Sequence, residues 1–392
     1  MVIETVKGFR DILGKEAERR ILIRNIIEET FKKYCYLPVE TPIIEYEDFV
    51  KGNNASDEAV SDIFKLKDRG ERNLALRYEF TFQLKRLSMN KKLPFKRYQI
   101  GPVFRDEPIA GNRFRQFTQC DVDIVGSSIK DEAEILCIAK EIFEKLGIKI
   151  IINVNNRKLL NEILDKEKII DKSAVIREID KLDKLSEKEV KDNLKKYKAE
   201  KILDIFKKKE KDFEKYENYK EIQTLKEACK LYGVDVVFVP FLARGLSYYN
   251  GSIFEIKSSA EEIKETISAG GSYLINGMQS TGISLGLDRL EMIAKMKEIE
   301  ENKTLIVSLG EDKKALETAT RLRKNNIPCT LMYGKVTKAL EFANSYGINN
   351  VILIGSEEIK KKKLLLKNMK TGKEEMLSDK DLLKRLINER NF

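Results

Sequence analysis

Two blocks of strand-like sequence, separated by a long run of charged helix, constrain this chain more than any other feature. Between residues 74 and 126 the stretches ALRYEFTF, KRYQIGPVFR and RQFTQCDVDIVG alternate apolar with polar positions, the period of a half-buried strand. They carry unusually many charged and hydroxyl groups, which implies an antiparallel sheet with one functional face. Strand character returns at VDVVFVPFLARGLSYYNGSIFEI, at AGGSYLI and at GISLGLDRLEMIAKMKE, where a glycine-bearing strand runs into a helix. Between the blocks, residues 157–230 hold 22 basic and 18 acidic side chains, mostly at helical spacing. The first sheet therefore resumes after a helical insertion.

The flanks complete the organisation. Ile21, Ile23, Ile26, Ile27 and Phe31 recur at helical spacing over 19–34. The following LPVETPIIEYEDF mixes β-branched residues with Pro38 and Pro42, which suits an edge or interface strand. A helix over 131–146 and a strand over 149–154 precede the insertion. After Asn302 the pattern becomes TLIVSL, DKKALETATRLRKN, PCTLMY, VTKALEFANSYG, NNVILIG and a final helix, an alternation that predicts an α/β unit with a largely parallel sheet. At 392 residues and 42% hydrophobic content, two or three compact units are expected. The divisions fall at 1–155 with 233–300, at 156–232 and at 301–392.

Composition limits the chemistry. The chain has no histidine, so Ser-His-Asp triads, imidazole bases and histidine-ligated metals drop out. Five scattered cysteines lack any CxxC spacing and read as reduced or buried thiols. No apolar stretch approaches a membrane span and residues 1–10 lack a signal core, so no membrane partner is expected and the cytoplasm is the default compartment. The net charge of +10 fits a polyanion partner. Residues 301–392 hold 19 basic and 12 acidic residues and so most of the excess, although KKKK at 360–363 also fits a solvated surface.

The densest cluster is GPVFRDEPIAGNRFRQFTQCDVDIVG, where Arg105, Asp106, Glu107, Arg113 and Arg115 crowd a polar loop between strand-like pieces. Such arginines can clamp phosphates and stabilise charge developing in nucleotidyl transfer, and Phe117 can stack on a purine. A solvated hairpin with surface ion pairs fits the same residues. In RGLSYYNG, Arg244 precedes Tyr248 and Tyr249, which strand alternation sends to opposite faces, so that one can line a pocket. GISLGLDRL puts Gly286 and Arg289 at a strand-to-helix junction suited to a nucleotide. AGGSY is compatible with no more than a tight turn.

In order along the chain, these pieces resemble the histidyl-tRNA synthetase family. KGFRD at 7–11 is similar to the family's amino-terminal KGTRD, and TPIIE around Pro42 resembles class II motif 1, the dimer-forming strand. LRYEFT resembles the LRYDLT segment of the archaeal and eukaryotic branch, FRDE to RQF with QCDVDIVG resembles motif 2, and GLDRL resembles motif 3. RGLSYYNG and AGGSY look like the two histidine-specific signatures. The resemblance implies an α+β class II catalytic domain, an antiparallel sheet with helices, bearing a helical insertion and followed by an α/β anticodon-binding domain. It also implies a homodimer that uses ATP and Mg2+ to join histidine to its tRNA through an adenylate; which residues hold the metal stays unknown.

By matching position, the resemblance assigns Glu79, Thr81 and Gln119 to the amino group of histidine, and Asp123, Tyr249 and Tyr273 to its imidazole. For ATP it assigns Arg105, Glu107, Arg113, Phe117 and Arg289, with Arg244 aimed at the α-phosphate and, together with Arg105, catalytic. The attacking group is then the substrate's own carboxylate, already ionised at neutral pH, so no base is needed. Ser247, Ser272, Leu274, Asn112, Phe82 and Gln83 depart from the family pattern and put the pocket's fine geometry in question. The rival is a non-aminoacylating paralogue such as the histidine-sensing regulatory subunit of ATP phosphoribosyltransferase, which normally lacks the carboxy-terminal domain and the ATP arginines. A non-enzymatic tRNA-binding module is a third class.

Overall fold

A computed structural model of the chain describes residues 3–52, 60, 62–108, 114–183, 185–243, 248–259, 266–296 and 302–390. Two units divide at Met296 and Lys297.

The first unit opens with helix α1 (Gly14–Lys33), which buries Ile23, Ile27 and Phe31 on one side. The proline-bearing segment that follows is not one strand. β1 (Leu37–Pro38) joins the main sheet, the chain leaves it at Pro42, and β2 (Ile44–Tyr46) joins a separate three-stranded sheet before the short α2 (Glu47–Lys51). Prolines that cannot donate to a ladder explain the break. β3 (Lys65–Lys67) and β4 (Asn73–Leu76) complete the small sheet, and α3 (Leu84–Leu87) follows.

β5 (Phe95–Phe104) and β6 (Gln116–Val125) form the long hairpin expected from the sequence, paired from Phe95↔Val125 to Phe104↔Gln116. α4 (Ile129–Lys145) starts at a capping box of Ser128 and Asp131, which satisfies otherwise orphaned N–H groups. β7 (Ile150–Asn156) leads into the insertion: α5 (Arg157–Lys166), α6 (Lys172–Asp180), α7 (Glu187–Lys195), α8 (Ile202–Phe206) and α9 (Tyr219–Leu231). The sheet then resumes with β8 (Val237–Phe238), β9 (Tyr249–Ser258), β10 (Thr266–Ile275) and β11 (Met278–Gly286), which runs into α10 (Leu287–Ile293). The strand order is β1-β5-β6-β11-β10-β9-β7-β8. The interior pairs are antiparallel and the two short outer pairings parallel.

One face of this sheet packs on α1, α4, α9 and α10, with Cys120, Val122 and Ile124 of β6 pointing into that core. A second core joins the insertion helices, through Leu160, Ile163 and Leu225's neighbour Ile222, to Tyr249, Ile253 and Tyr273 of the sheet. By alternation, Gln119, Asp121 and Asp123 point away from the first core.

In the second unit β12 (Thr304–Ser308), α11 (Asp312–Lys324), β13 (Cys329–Tyr333), α12 (Val336–Ser345) and β14 (Asn350–Ile354) follow the predicted alternation, with β12 parallel to both neighbours. The expected single final helix is instead α13 (Ser356–Lys361), a hairpin of β15 (Leu364–Asn368) and β16 (Glu374–Leu377), and α14 (Asp379–Arg390). Both hairpin strands are antiparallel, so the sheet is mixed. Its turn centres on Asn368, whose side chain accepts from Lys370 and Thr371, and on Gly372 at positive φ. Lys360, Lys361, Lys362 and Lys363 are exposed at the end of α13, with Lys362 in the left-handed region. Cations there complement the helix dipole.

Both cores of this unit are built from its own residues, and Asp379 accepts from Arg321 and Lys314 at 2.6 Å each. The Arg321 guanidinium, above all, holds Asp379 well below the usual carboxylate range. A folded value below the unfolded one gives stability present above the unfolded value and lost as pH falls. Residues 297–392 expressed alone should unfold cooperatively and weaken as pH drops below about 4, with Asp379→Asn reducing that acid dependence. Thermal melts of the two proteins from pH 7 to 3 check this; a fragment without a cooperative transition, or identical acid profiles, would contradict it.

Candidate active site

The site lies on the face of β6 turned away from the first core. Directly paired residues of neighbouring strands share a face, so the register fixes its composition. Asp123 stands opposite Arg97 of β5 and Gly282 of β11, Asp121 opposite Gln99 and Ser284, and Gln119 opposite Gly101 and Gly286.

Asp123 is buried, with the fully buried Arg97 Nη2 at 2.7 Å and the Tyr273 hydroxyl donating to its Oδ1. Arg97 also donates to the Phe80 carbonyl at 3.1 Å, which ties the LRYEFT segment to β5. Room for this cluster comes from glycine. A Cβ on Gly282 would lie 2.1 Å from Asp123 Oδ1 and 3.0 Å from the Tyr273 hydroxyl, and one on Gly271 would lie 2.4 Å from the Ser252 carbonyl and 2.9 Å from the Tyr249 ring. Side chains at these two positions would fill the space that Asp123, Tyr249 and Tyr273 occupy.

Two further carboxylates are buried beside Asp123. Ser284 donates to Asp121 at 2.5 Å and accepts from Gln119 Nε2 at 2.9 Å. Burial, and then the neighbouring Asp123, push Asp121 up to about 7. Glu79 is also pushed up to about 7, by burial first, with Arg105 opposing and Asp123 adding to the shift. Burial, above all, raises Asp123 as well, while the charge of Arg97 and the hydrogen bond from Tyr273 favour its anion. With all three carboxyls buried and close together, their mutual repulsion opposes full ionisation of the group.

Tyr248 and Tyr249 do not part to opposite faces. Tyr248 precedes β9 and escapes strand alternation: its hydroxyl donates to Glu79 at 3.4 Å, and its ring lies 4.9 Å from Tyr249 and 5.7 Å from Tyr273. Tyr249 pairs in register with Tyr273 and is buried. Thr81 is half-buried between Phe80 and Phe82.

Among the residues expected to meet ATP, the Arg105 guanidinium lies 5.2 Å from the centroid of the Phe117 ring, donates to the Tyr78 carbonyl at 3.3 Å and is 3.8 Å from Glu107. Arg289 donates to the Thr266 carbonyl. Arg113 and Arg244, together with Asn112 and Ser247, lie outside the described residues. Asp288, beside Arg289, accepts from Arg20 of α1 and from the Thr118 amide, both at 2.8 Å, so it locks α10 to β6. The KGFRD segment packs on motif 2: the Arg115 amide donates to the Gly8 carbonyl at 2.9 Å, and a Cβ on Gly8 would meet the Arg115 side chain.

The departures have structural accounts. Gln83 is fully buried, accepts from Thr41 at 2.5 Å and donates to Glu45 at 2.7 Å, and Arg86 grips the same Glu45 at 2.9 and 2.7 Å. Phe82 stacks on Tyr78 in a small core. Leu274 is half exposed. Ser272 faces away from Tyr273 and donates to the buried Glu132 of α4.

Sequence reasoning missed Arg97, Asp121, Tyr248, Ser284 and Gly282. Polar residues at every second position of KRYQIGP and QCDVD carry part of that signal; which of them meet depends on hairpin register.

An eight-stranded sheet of this order, with a cluster of buried carboxyls beside arginines on its hairpin, defines the catalytic domain of a class II aminoacyl-tRNA synthetase. The family described as histidyl-tRNA synthetase matches residues 8–290, and an anticodon binding domain matches residues 303–389. Histidine–tRNA ligase 2 of Shouchella clausii is 37% identical over 413 residues, covering 95% of this chain and 97% of that protein. Histidine–tRNA ligase 1 of Bacillus cereus is 35% identical with 95% of each covered. The crystal structure of histidyl-tRNA synthetase from a Nostoc species superposes with a TM-score of 0.84 at 26% identity, covering 99% of this chain and 100% of that one. An ATP phosphoribosyltransferase regulatory subunit/histidyl-tRNA synthetase from Bacillus halodurans shares the fold at 20% identity, with a TM-score of 0.76 over 90% of this chain and 98% of that one. The chain belongs to the histidyl-tRNA synthetase family.

Glu132 offers a test of the packing behind the pocket. Burial raises its pKa, against the hydrogen bonds from Ser252 and Ser272, so the folded state binds its proton more tightly than the unfolded one. Stability from this group is lost as pH rises above the unfolded value of about 4.3. Glu132→Gln should therefore gain stability relative to the parent as pH increases from 5 to 8 in urea unfolding. A difference that stays constant with pH contradicts the burial described.

Proposed function

We propose that this chain is a histidine–tRNA ligase, activating histidine with ATP and passing it from the adenylate to tRNA. The observation that carries this reading is that the catalytic and the anticodon-binding families together span the chain nearly end to end. The regulatory-subunit alternative normally lacks the second of these parts.

In this reading Glu79, Thr81 and Gln119 receive the amino group of histidine. The Gln119 Oε1 is buried without a hydrogen-bond partner among the described residues, which suits an acceptor for an ammonium. Asp123, Tyr249 and Tyr273 surround the ring, and Tyr248 joins them by holding Glu79. A competitor lacking ring N–H groups would leave these buried acceptors unsatisfied, which is how strong discrimination arises. Arg105, Glu107, Arg113, Phe117 and Arg289 receive ATP, with Arg244 on the α-phosphate.

Activation then needs no protein base, because the histidine carboxylate attacks the α-phosphorus as an anion and pyrophosphate leaves. Positioning and arginine charges stabilise the pentavalent transition state. Mg2+ would supply further neutralisation of the phosphates. Among the described residues no group of three acidic, cysteine or histidine side chains is arranged to hold a metal. The excess of positive charge in the second unit suits tRNA phosphates.

The exposed Leu37, Ile43, Ile44 and Tyr46 around motif 1 support a homodimer through that region. No helix among the described residues is long and apolar enough to cross a membrane, and a cytoplasmic location is part of the same proposal.

Pyrophosphate exchange into ATP should depend on histidine and on no other amino acid. Arg105→Ala and Arg244→Ala should each lower it about a hundredfold to a thousandfold while the fold is kept, the usual cost of removing a donor aimed at developing charge. A protein ending near Lys297 should retain exchange and lose most tRNA charging. Exchange that is absent, or is supported equally by other amino acids, overturns the assignment; full charging by the truncated protein overturns the role of the second unit.

A further inference from the structure

The most unusual group in the pocket is one that the family resemblance leaves without a role. Arg97 is the largest fully buried side chain in the described structure; its guanidinium lies 2.7 Å from Asp123 and donates to the Phe80 carbonyl at 3.1 Å, while its Nε and Nη1 have no hydrogen-bond partner among the described residues. Burying a guanidinium is costly unless a charge compensates it. Here it sits directly across the ladder from the carboxylate assigned to the imidazole.

We infer that Arg97 is a specificity-determining positioning residue that neutralises Asp123 and thereby makes the pocket select the neutral imidazole form of histidine over imidazolium. This rests on the reading of Asp123 and Tyr273 as the ring site.

The charge balance supports the inference. Asp123 is met from β5 by the cation of Arg97, at 2.7 Å from Oδ2, and from β10 by the Tyr273 hydroxyl, which donates to Oδ1. Asp121 on its own strand is turned to Ser284. From the segment before α3, Glu79 is held by Tyr248 and lies within the field of Arg105, with Tyr78 nearby. Tyr249 completes the surroundings from β9. The ammonium of the substrate answers the charge on Glu79, and Arg97 answers that on Asp123. The ring therefore meets an acceptor whose charge is already balanced: a neutral imidazole can donate its N–H there, whereas an imidazolium would bring an unbalanced charge next to a buried guanidinium. Without Arg97 the same carboxylate, beside Asp121 and Glu79, would favour a cation.

The test compares histidine with 1,2,4-triazolylalanine, an isostere whose less basic ring stays neutral across the range. Both substrates carry the same amino and carboxyl groups, so titration of Glu79 and Asp121 cancels in the ratio of their KM values. That ratio is measured by pyrophosphate exchange at saturating ATP between pH 7.5 and 5.5. For the parent protein the ratio of histidine to triazole KM should rise about five- to tenfold as pH falls, following loss of the neutral ring with its pKa of about 6.5. Arg97→Lys keeps the charge and should keep the rise, whereas Arg97→Met should flatten or reverse it while also raising the histidine KM at pH 7.5. A rise in Arg97→Met parallel to the parent overturns the inference. So does a parental ratio that stays level or falls as pH drops, a result that needs no variant to fold. Asp123→Asn serves as the control on the underlying reading: an unchanged histidine KM there removes the ring site itself, whereas a selective increase leaves that site standing and puts only the role of Arg97 at stake.

Discussion

The candidate site depends on one buried carboxylate. Asp123 is held between the guanidinium of Arg97 and the hydroxyl of Tyr273, over a backbone that must be glycine at 282. Each part of this arrangement comes from a different strand: Arg97 from β5, Asp123 from β6, Gly282 from β11 and Tyr273 from β10. A one-residue slip in any of these ladders would send the participating side chain to the opposite face. The chemistry of the pocket and the register of the central sheet are thus one constraint, and a charge that is expensive to bury is affordable only where that register is kept.

The surrounding structure protects the register from both sides. Behind the sheet, Asp288 bonds α1 and the backbone of β6 to the start of α10. In front, the chain of Thr41, Gln83, Glu45 and Arg86 secures the segment that follows β1 to the one that carries Glu79 and Thr81. The insertion helices contribute as well, because their core extends without a break to Tyr249 and Tyr273. An element that interrupts the sheet in sequence therefore helps to hold the rings of its pocket in space.

Much of this was legible in the sequence because strand alternation and local order survive without tertiary information. The hairpin of β5 and β6, the helical interruption and the β/α alternation after Asn302 all follow from periodicity. The motifs that carry the resemblance are short runs whose residues stay together in the fold. What was lost depended on pairing. Arg97 reads as one more charge in KRYQIGP until the register sets it against Asp123, and strand alternation admits only one of Tyr248 and Tyr249 to the site because it does not show that Tyr248 lies one residue before the strand. The β15 and β16 hairpin escaped notice because LLLKN follows a run of lysines and EEML offers too few positions for a period to show. Gln83, which reads as a departure from the family pattern, is a buried structural partner of Thr41 and Glu45.

In the proposed reading, a chain without histidine recognises that amino acid with carboxylates and phenols as acceptors and donors, while the substrate supplies its own nucleophile. The central claim is that Asp123 and Tyr273 act on the ring as one unit. It is tested most directly by calorimetric titration of histidine into the parent, Asp123→Asn, Tyr273→Phe and the double variant. The account predicts strong non-additivity, with the double variant little weaker than Asp123→Asn alone and a coupling of roughly 1 kcal/mol or more, as expected for side chains in direct hydrogen-bond contact. Strictly additive losses, or histidine affinity unchanged in all three variants, would contradict it.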